Sequence, residues 1–156
     1  MGRLYRMTKR IAIYSAIMLA AVGISSIGVA LADGLNIIPI RQAGMSLAGG
    51  DFAFIRSTVA AKGDVKALEA PAKAIAKWAA VIPSVFPKGT ETGNDTKALP
   101  EVWADNAGFQ KIALALGEAS TKLAAAAKAG DADEVAADAK LVGDQCGACH
   151  KTYRAK

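Results

Sequence analysis

The segment Cys146-Gly147-Ala148-Cys149-His150 stands near the carboxyl end of the chain, with six residues after it. It holds both cysteines and the only histidine among the 156 residues. All the thiol and imidazole groups of the chain therefore lie within five consecutive positions. The spacing C-x-x-C-H is the attachment motif of c-type haem, in which two thiols form thioether bonds with the porphyrin and the histidine ligates iron. Residues three and four apart share one face of a helix, so Cys146, Cys149 and His150 can all face one flat cofactor.

Three other chemistries fit these residues less well. A redox-active dithiol of the thioredoxin kind opens a helix after a strand, and no strand pattern precedes Cys146. A structural zinc site needs four protein ligands, and the sequence has no second C-x-x-C motif. A disulfide between neighbouring helical turns would restrain very little of the chain. The sequence therefore predicts one covalently attached haem c per chain.

The amino-terminal 32 residues have the composition of an export signal. Residues 1–10 carry four basic residues and no acidic one, and the apolar run over residues 11–32 ends in Ala30-Leu31-Ala32. This order is typical of a secretory signal peptide with a small-residue cleavage site. The alternative is an uncleaved membrane anchor, because a run of this length could span the ~30 Å of a bilayer core. The small residues near its end favour cleavage, which predicts a signal peptide over residues 1–32 and one mature domain over residues 33–156.

The charge of the chain resides largely in that leader. Residues 1–32 hold four of the 19 basic residues and none of the 14 acidic ones, so the net charge falls from +5 to +1 when they are removed. A charge so close to zero gives no reason to expect nucleic-acid binding. With the leader cleaved, the sequence also predicts no membrane attachment.

The rest of the chain shows helical periodicity and no strand pattern. Apolar residues at intervals of three and four predict a first helix that begins near Pro39 and stops at Gly63. Asp64 then caps a second helix, which runs to Ile82 and which Pro71 should kink or split.

A long loop follows, and two more helices complete the chain. Proline, glycine and asparagine mark the loop over residues 83–100, and an alanine-rich stretch predicts one continuous helix over residues 101–129. Gly130 should end that helix, and Asp131 should cap a fourth one that runs to Tyr153. Four amphipathic helices with this pattern of connections predict an all-α fold, an antiparallel four-helix bundle in which the first and last helices are neighbours.

Five separated segments can be compared with known families as an ordered set. They are Arg41-Gln42-Ala43-Gly44-Met45, Phe86-Pro87-Lys88-Gly89-Thr90-Glu91, Pro100-Glu101-Val102-Trp103, Ala127-Lys128-Ala129-Gly130-Asp131, and Cys146-Gly147-Ala148-Cys149-His150 with Tyr153-Arg154. This set resembles the class II c-type cytochromes, the cytochrome c′ family, in which the haem motif lies near the carboxyl end. The resemblance covers nearly all of residues 41–154, and it is the ordered set, more than the C-x-x-C-H motif alone, that is specific.

The resemblance implies a role for each residue around the cofactor. Cys146 and Cys149 would carry the thioether bonds, and His150 would be the proximal iron ligand. Two residues of the first helix would lie near the haem propionates, one aromatic residue would border the haem, and a cation one turn past the histidine would lie on the proximal side. These four residues are Arg41, Gln42, Phe86 and Arg154.

Simpler interpretations of three of these residues remain open. Arg41 and Gln42 could be solvated residues at a helix start. Arg154 could be a terminal cation that interacts favourably with the helix dipole.

Met45 occupies the position on which the family divides. Four places after the arginine, high-spin members have an apolar residue that does not bind iron, whereas low-spin members have a methionine that does. The other methionines all lie in the leader, so Met45 is the only thioether of the mature chain. The alternative is that Met45 only packs in the core, as methionines on helix stripes usually do. We predict that Met45 is the distal iron ligand.

These residues predict a periplasmic electron-transfer protein with His/Met ligation. Two permanent axial ligands keep reorganisation small, and the thioether raises the reduction potential. The alternative is a five-coordinate high-spin protein that binds nitric oxide or carbon monoxide. Enzyme activity is not expected, because the chain has no second histidine to act as an acid or base on the distal side. Expected partners are periplasmic redox proteins. Dimers through the first helix are common in the family that the chain resembles, but the residues of this helix do not decide for or against a homodimer.

Overall fold

The computed structural model describes residues 36–156, and the predicted signal peptide over residues 1–32 lies outside the described residues. Four long helices form the fold, and their bounds are α1 (Ile37–Ala60), α2 (Glu69–Val81), α3 (Asn106–Ala129) and α4 (Ala132–Tyr153). Three shorter elements are the 3₁₀ turns Val65–Leu68 and Ile82–Val85 and the one-turn helix Glu101–Ala104. The predicted all-α four-helix bundle is confirmed. No helix within residues 36–156 is both long and apolar enough to cross a membrane.

The first helix begins two residues earlier than predicted. Pro39 lies in the first turn of α1, where backbone N–H groups have no intrahelical acceptor in any case, so its ring is tolerated there. At the other end, Lys62, and not Gly63, takes the left-handed conformation, with φ of 52°. Gly63 donates its N–H to the Thr58 carbonyl at 2.9 Å and Lys62 donates to Val59 at 3.1 Å. These two hydrogen bonds form a Schellman motif. The sequence prediction placed the residue that ends the helix one position too late.

The second helix changes from a 3₁₀ turn to an α-helix at Glu69, two residues before Pro71, the residue that was expected to kink or split it. Asp64 accepts a hydrogen bond from the Lys66 N–H at 2.9 Å, but it caps the 3₁₀ turn and not the α-helix itself. The regular α2 begins at Glu69, which places Pro71 in its first turn, where the missing N–H removes no helical bond.

The prediction of one continuous helix over residues 101–129 is wrong. The one-turn helix ends before Asp105, whose side chain accepts a hydrogen bond from the Gly108 N–H at 3.2 Å and starts α3. An N-cap of this kind satisfies a free donor at the helix start and lets the chain change direction. The later boundary is correct: Gly130 ends α3 with φ of 80°, and Asp131 caps α4 by accepting from the Glu134 N–H at 3.0 Å.

The core lies along the centre of the bundle. α3 packs mainly against α2 and α4, and α1 packs against the same two helices. Small residues let the helices approach closely, and a few large ones fill the centre. Its largest fully buried apolar side chains are those of Phe109, Ile55, Leu68, Ile75, Leu123, Val102, Val135 and Val142.

Candidate functional site

A cavity of about 520 Å³ opens at one end of the bundle. The first half of α1, the second half of α2, the first half of α3 and the last turns of α4 all contribute to its wall. Its volume falls within the ~300–1,000 Å³ of typical cofactor sites. Eight of its lining residues are those singled out from the sequence: Arg41, Gln42, Met45, Phe86, Cys146, Cys149, His150 and Arg154.

The last turns of α4 carry the two cysteines and the histidine to one wall of this cavity. Both thiols are half-buried and unbonded. Burial raises the pKa of Cys146, and burial together with the neighbouring Cys146 raises the pKa of Cys149 to about 11. A redox-active dithiol needs the opposite shift, because the thiolate is the reactive species. Among residues 36–156 no three His, Cys, Asp or Glu side chains are grouped so that they could hold a metal ion.

Met45 lines the same cavity from a different helix, α1. It is half-buried and packs against the hydrophobic core. The preceding residue, Gly44, lies directly beneath the Trp78 ring of α2, and a Cβ added there would overlap three ring atoms. No signal in the sequence identified Trp78 as the neighbour of Gly44. The close approach of α1 and α2 fixes the part of α1 that carries Met45.

Arg41 is only 2% exposed and is held by the long loop. Its Nη1 lies 2.8 Å from Thr90 Oγ1 and 3.5 Å from the Val85 carbonyl oxygen, and its Nη2 donates to the Thr90 carbonyl at 2.7 Å and to Thr96 Oγ1 at 2.9 Å. Burial lowers the pKa of Arg41, and the nearby Glu91 carboxylate opposes that shift. Arg41 is therefore not a solvated helix-start residue, and both of its terminal amino groups organise the loop that borders the cavity.

Gln42 reinforces the same connection. Its Nε2 donates to the Asn94 carbonyl at 2.8 Å, so two adjacent residues of α1 hold two points of the loop.

Phe86 joins this arrangement to the core. Its ring lies under the Arg41 guanidinium, 4.5 Å from centroid to Cζ, and makes edge contacts with Trp103 and Phe109 at centroid distances of 6.2 and 5.1 Å. The Trp103 indole N–H also donates to the Phe86 carbonyl at 2.9 Å. Phe86 is thus an anchor of the loop as well as part of the cavity wall.

Arg154 lies beside His150, with Nη1 and Nε2 3.5 Å apart. Burial, followed by the positive charge of Arg154, lowers the pKa of His150, which favours the neutral imidazole that a metal requires. Backbone pairing fixes this cation: Ala98 and Arg154 form an antiparallel bridge, Leu99 donates to Tyr153 at 3.0 Å, and Ala155 donates to Lys97 at 2.8 Å. No pattern in the sequence indicates this pairing.

Two further residues brace the end of α4 and were also missed. The Tyr153 hydroxyl donates to the Asp105 carboxylate at 2.7 Å, and this bond raises the pKa of Tyr153 to about 12. The Tyr153 ring also packs edge-on against Phe109, with centroids 5.3 Å apart. The helix that carries the cysteines is therefore tied to the start of α3.

The residues around the cavity fit a haem c group. The end of α4 presents two thiols and an imidazole at helical spacing, and α1 contributes a thioether to the same cavity. Among residues 36–156, most of the remaining lining is aromatic and aliphatic; it also includes the cations at positions 41, 97 and 154 and no acidic residue. A mostly apolar slot that also holds the buried cation Arg41 suits a flat hydrophobic ring that carries acidic substituents.

Comparison with known proteins gives concordant matches. The sequence profile of the family described as cytochrome c′ matches residues 36–154. The cytochrome c′ of Alcaligenes xylosoxydans xylosoxydans is 35% identical over 123 residues, which are 76% of this chain and 93% of that protein. A solved cytochrome c′ with an unusual ligand-controlled dimer dissociation has a TM-score of 0.72 at 31% identity, over 77% of this chain and 95% of that chain. The nitric oxide complex of a variant cytochrome c′ from Alcaligenes xylosoxidans has a TM-score of 0.69 at 33% identity, over 77% and 94% of the two chains. The region matched by the profile contains all four helices and the C-x-x-C-H segment.

Proposed function

This chain belongs to the cytochrome c′ family, and on that premise we propose that it carries one electron on a haem c with His150 and Met45 as axial ligands. Family members are electron carriers or gas-binding proteins and hold one covalent haem c per chain, and Cys146 and Cys149 fit the attachment motif. When bound, haem c supplies an iron that accepts and releases a single electron.

The observation that supports electron transfer is the placement of Met45. It lines the same cavity as His150 from a different helix, and within residues 36–156 it is the only methionine. A thioether on one side and an imidazole on the other would keep both axial positions filled in either oxidation state. The Trp78 ring over Gly44 and the loop bonds of Arg41 hold α1 in place, which limits movement of that thioether.

The second candidate is binding of a small gas on the distal face. The nitric oxide complex of a related protein favours it, and the comparisons support this candidate better than the carrier. It requires that Met45 leave the iron or never bind it. The two candidates thus differ in one bond, that between the Met45 sulfur and the metal.

Absorption spectra of the purified holoprotein test the proposal. We expect low-spin spectra in both oxidation states and a sulfur-to-iron charge-transfer band in the oxidised protein, with slow or absent uptake of carbon monoxide by the reduced protein. Met45→Leu should abolish the band and open the site to carbon monoxide. Leu47→Ala, on an exposed part of the same helix, is the matched control and should change neither. A high-spin wild-type spectrum with rapid carbon monoxide uptake would favour gas binding.

We also propose that residues 1–32 direct export and that the protein works in the periplasm. Related cytochromes c′ are periplasmic, and the described domain begins shortly after the predicted cleavage site. Amino-terminal sequencing of the mature protein should begin at Asp33. A mature chain that retains residues 1–32 would indicate a membrane anchor instead.

A homodimer through α1 is the partner that the exposed surface supports best. Ile40, Leu47 and Phe54 are 44%, 73% and 49% exposed, and their spacing of seven residues aligns them along one face of α1. Related cytochromes c′ are dimers. Sedimentation velocity should show a dimer for the wild type and a monomer for Leu47→Lys. Leu114→Lys, which charges an exposed leucine on α3, is the matched control and should leave the dimer intact.

A further inference from the structure

Three cations form a surface at the end of α4, beside the mouth of the cavity. Lys97, Lys151 and Arg154 are all exposed, and Lys97 and Arg154 also line the cavity. The backbone pairing of residues 97–99 with residues 153–155 brings Lys97, which is far away in sequence, to the last turn of α4. His150 lies beside the Arg154 guanidinium, with Nε2 and Nη1 3.5 Å apart, and Lys151 follows it in the chain. We call these three cations the terminal cationic surface.

None of these three cations has a salt-bridge partner within residues 36–156. Within residues 36–156 the two salt bridges are Lys73–Glu69 and Lys140–Asp144, and neither includes a member of the surface. No acidic residue occurs in residues 96–99 or 145–155. The surface therefore stands out from a chain whose charges otherwise nearly balance, and unpaired cations of this kind attract anions over about one Debye length, ~10 Å at 0.1 M salt.

We infer that the terminal cationic surface is the docking site for an acidic face of a redox partner protein. This inference rests on the proposed electron-transfer function, because a carrier must bring its cofactor close to that of its partner. A partner seated on residues 97, 151 and 154 would lie against His150 and the cavity mouth, where the path to the cofactor is short. Cations at the rim of an interface mainly raise the association rate and set the orientation of the encounter.

Electron exchange with small oxidants of opposite charge tests the docking site. We would measure oxidation of the reduced holoprotein by ferricyanide, which carries three negative charges, and by tris(phenanthroline)cobalt(III), which carries three positive ones. The double variant Lys97→Glu/Lys151→Glu should slow the ferricyanide reaction by at least about tenfold at ~0.01 M ionic strength and speed the cobalt reaction. For both oxidants, the ratio of the variant rate to the wild-type rate should approach one as the salt concentration is raised.

A matched control separates local steering from net charge. Lys62→Glu/Lys66→Glu makes the same change of charge at the connection between α1 and α2, at the end of the bundle away from the cavity. The control should change either rate by less than about twofold. Reduction potentials of both double variants, measured by spectroscopic titration, remove the contribution of driving force from the comparison.

The outcomes distinguish the two levels of inference. If the protein exchanges no electron with either oxidant, the proposed carrier function is wrong. If electrons are exchanged but the two double variants behave alike, only the docking site is refuted. Co-sedimentation with phosphatidylglycerol vesicles, lost in Lys97→Glu/Lys151→Glu, would show that a lipid surface occupies the site and would overturn the assignment to a protein partner.

Discussion

The contact between Gly44 and the Trp78 ring can be tested with a single methyl group. In Gly44→Ala the new Cβ would overlap three atoms of a rigid ring, so the ring or α1 must move. Overpacking of this severity costs about 3 kcal/mol, while the gain in helix propensity from glycine to alanine returns about 1 kcal/mol. We expect Gly44→Ala to lower the free energy of unfolding by about 2 kcal/mol.

Gly50 provides the matched control on the same helix. It is exposed, and a Cβ there would meet nothing within 4 Å. Gly50→Ala should therefore raise the free energy of unfolding by about 1 kcal/mol through helix propensity alone. The two alanine variants should differ by about 3 kcal/mol.

Urea unfolding of the holoproteins, followed by far-ultraviolet circular dichroism, measures this difference. For a slope of about 2 kcal/mol per molar urea, the two midpoints should lie about 1.5 M apart. In a Trp78→Leu background the methyl group at position 44 has room, so Gly44→Ala should no longer destabilise the fold.

Equal midpoints for Gly44→Ala and Gly50→Ala would refute this reasoning. They would mean that the indole ring does not rest on the backbone of α1, and that the spacing of α1 and α2 does not depend on the glycine. The position of Met45 would then need another explanation.

Arg41→Lys should lower the free energy of unfolding by about 3 kcal/mol, because an ammonium cannot reproduce the four hydrogen bonds of the buried guanidinium. A variant that unfolds at the same urea concentration as the wild type would contradict this. Tyr153 has a pKa of about 12, above its ordinary value near 10, because its hydroxyl donates to Asp105. The folded state therefore favours the protonated form, and this stability is complete below about pH 10 and lost between about pH 10 and 12. Tyr153→Phe should thus cost about 2 kcal/mol at pH 8, with the difference from wild type vanishing near pH 12, and a constant difference would show that the hydroxyl bond is not its cause. Asp131→Ala should cost about 1 kcal/mol through loss of the cap of α4. Asp133→Ala, in the first turn of that helix, should cost less than half as much in the same unfolding assay.

Helix boundaries that depend on adjacent residues could be predicted from the sequence. Gly130 and Asp131 are neighbours, and together they end α3 and begin α4 as expected. The first boundary was misplaced by one residue because Lys62 adopts a left-handed conformation that sequence rules reserve for glycine. Here the two hydrogen bonds donated by Lys62 and Gly63 outweigh the cost of a left-handed conformation at a residue other than glycine.

The break at Asp105 was missed because its surroundings favour a helix. The alanine-rich sequence after Asp105 has high helix propensity, so a continuous helix was predicted through this position. Asp105 nevertheless stands three residues before Gly108, the spacing at which an N-cap side chain accepts from a backbone N–H. An acidic residue inside a long predicted helix can therefore indicate a change of direction.

The residues of the candidate site could be named from the sequence, but their partners could not. All eight named residues line one cavity. The bonds of Arg41 to the loop join residues 44 to 55 positions apart, and the loop pairs with the chain end across a similar separation. Periodicity reports only on neighbours within one helix, so it carries no information about such contacts.

The pairing of residues 97–99 with residues 153–155 has a consequence for how the protein matures. In the folded chain both thiols are half-buried, and the backbone that follows them is fastened to the loop by two hydrogen bonds. An attachment enzyme that has to hold this segment needs it free, which it is only before the loop and the chain end have joined. We therefore expect maturation to follow a fixed order. The porphyrin is attached to the exported, still unfolded chain, and residues 153–155 pair with residues 97–99 afterwards.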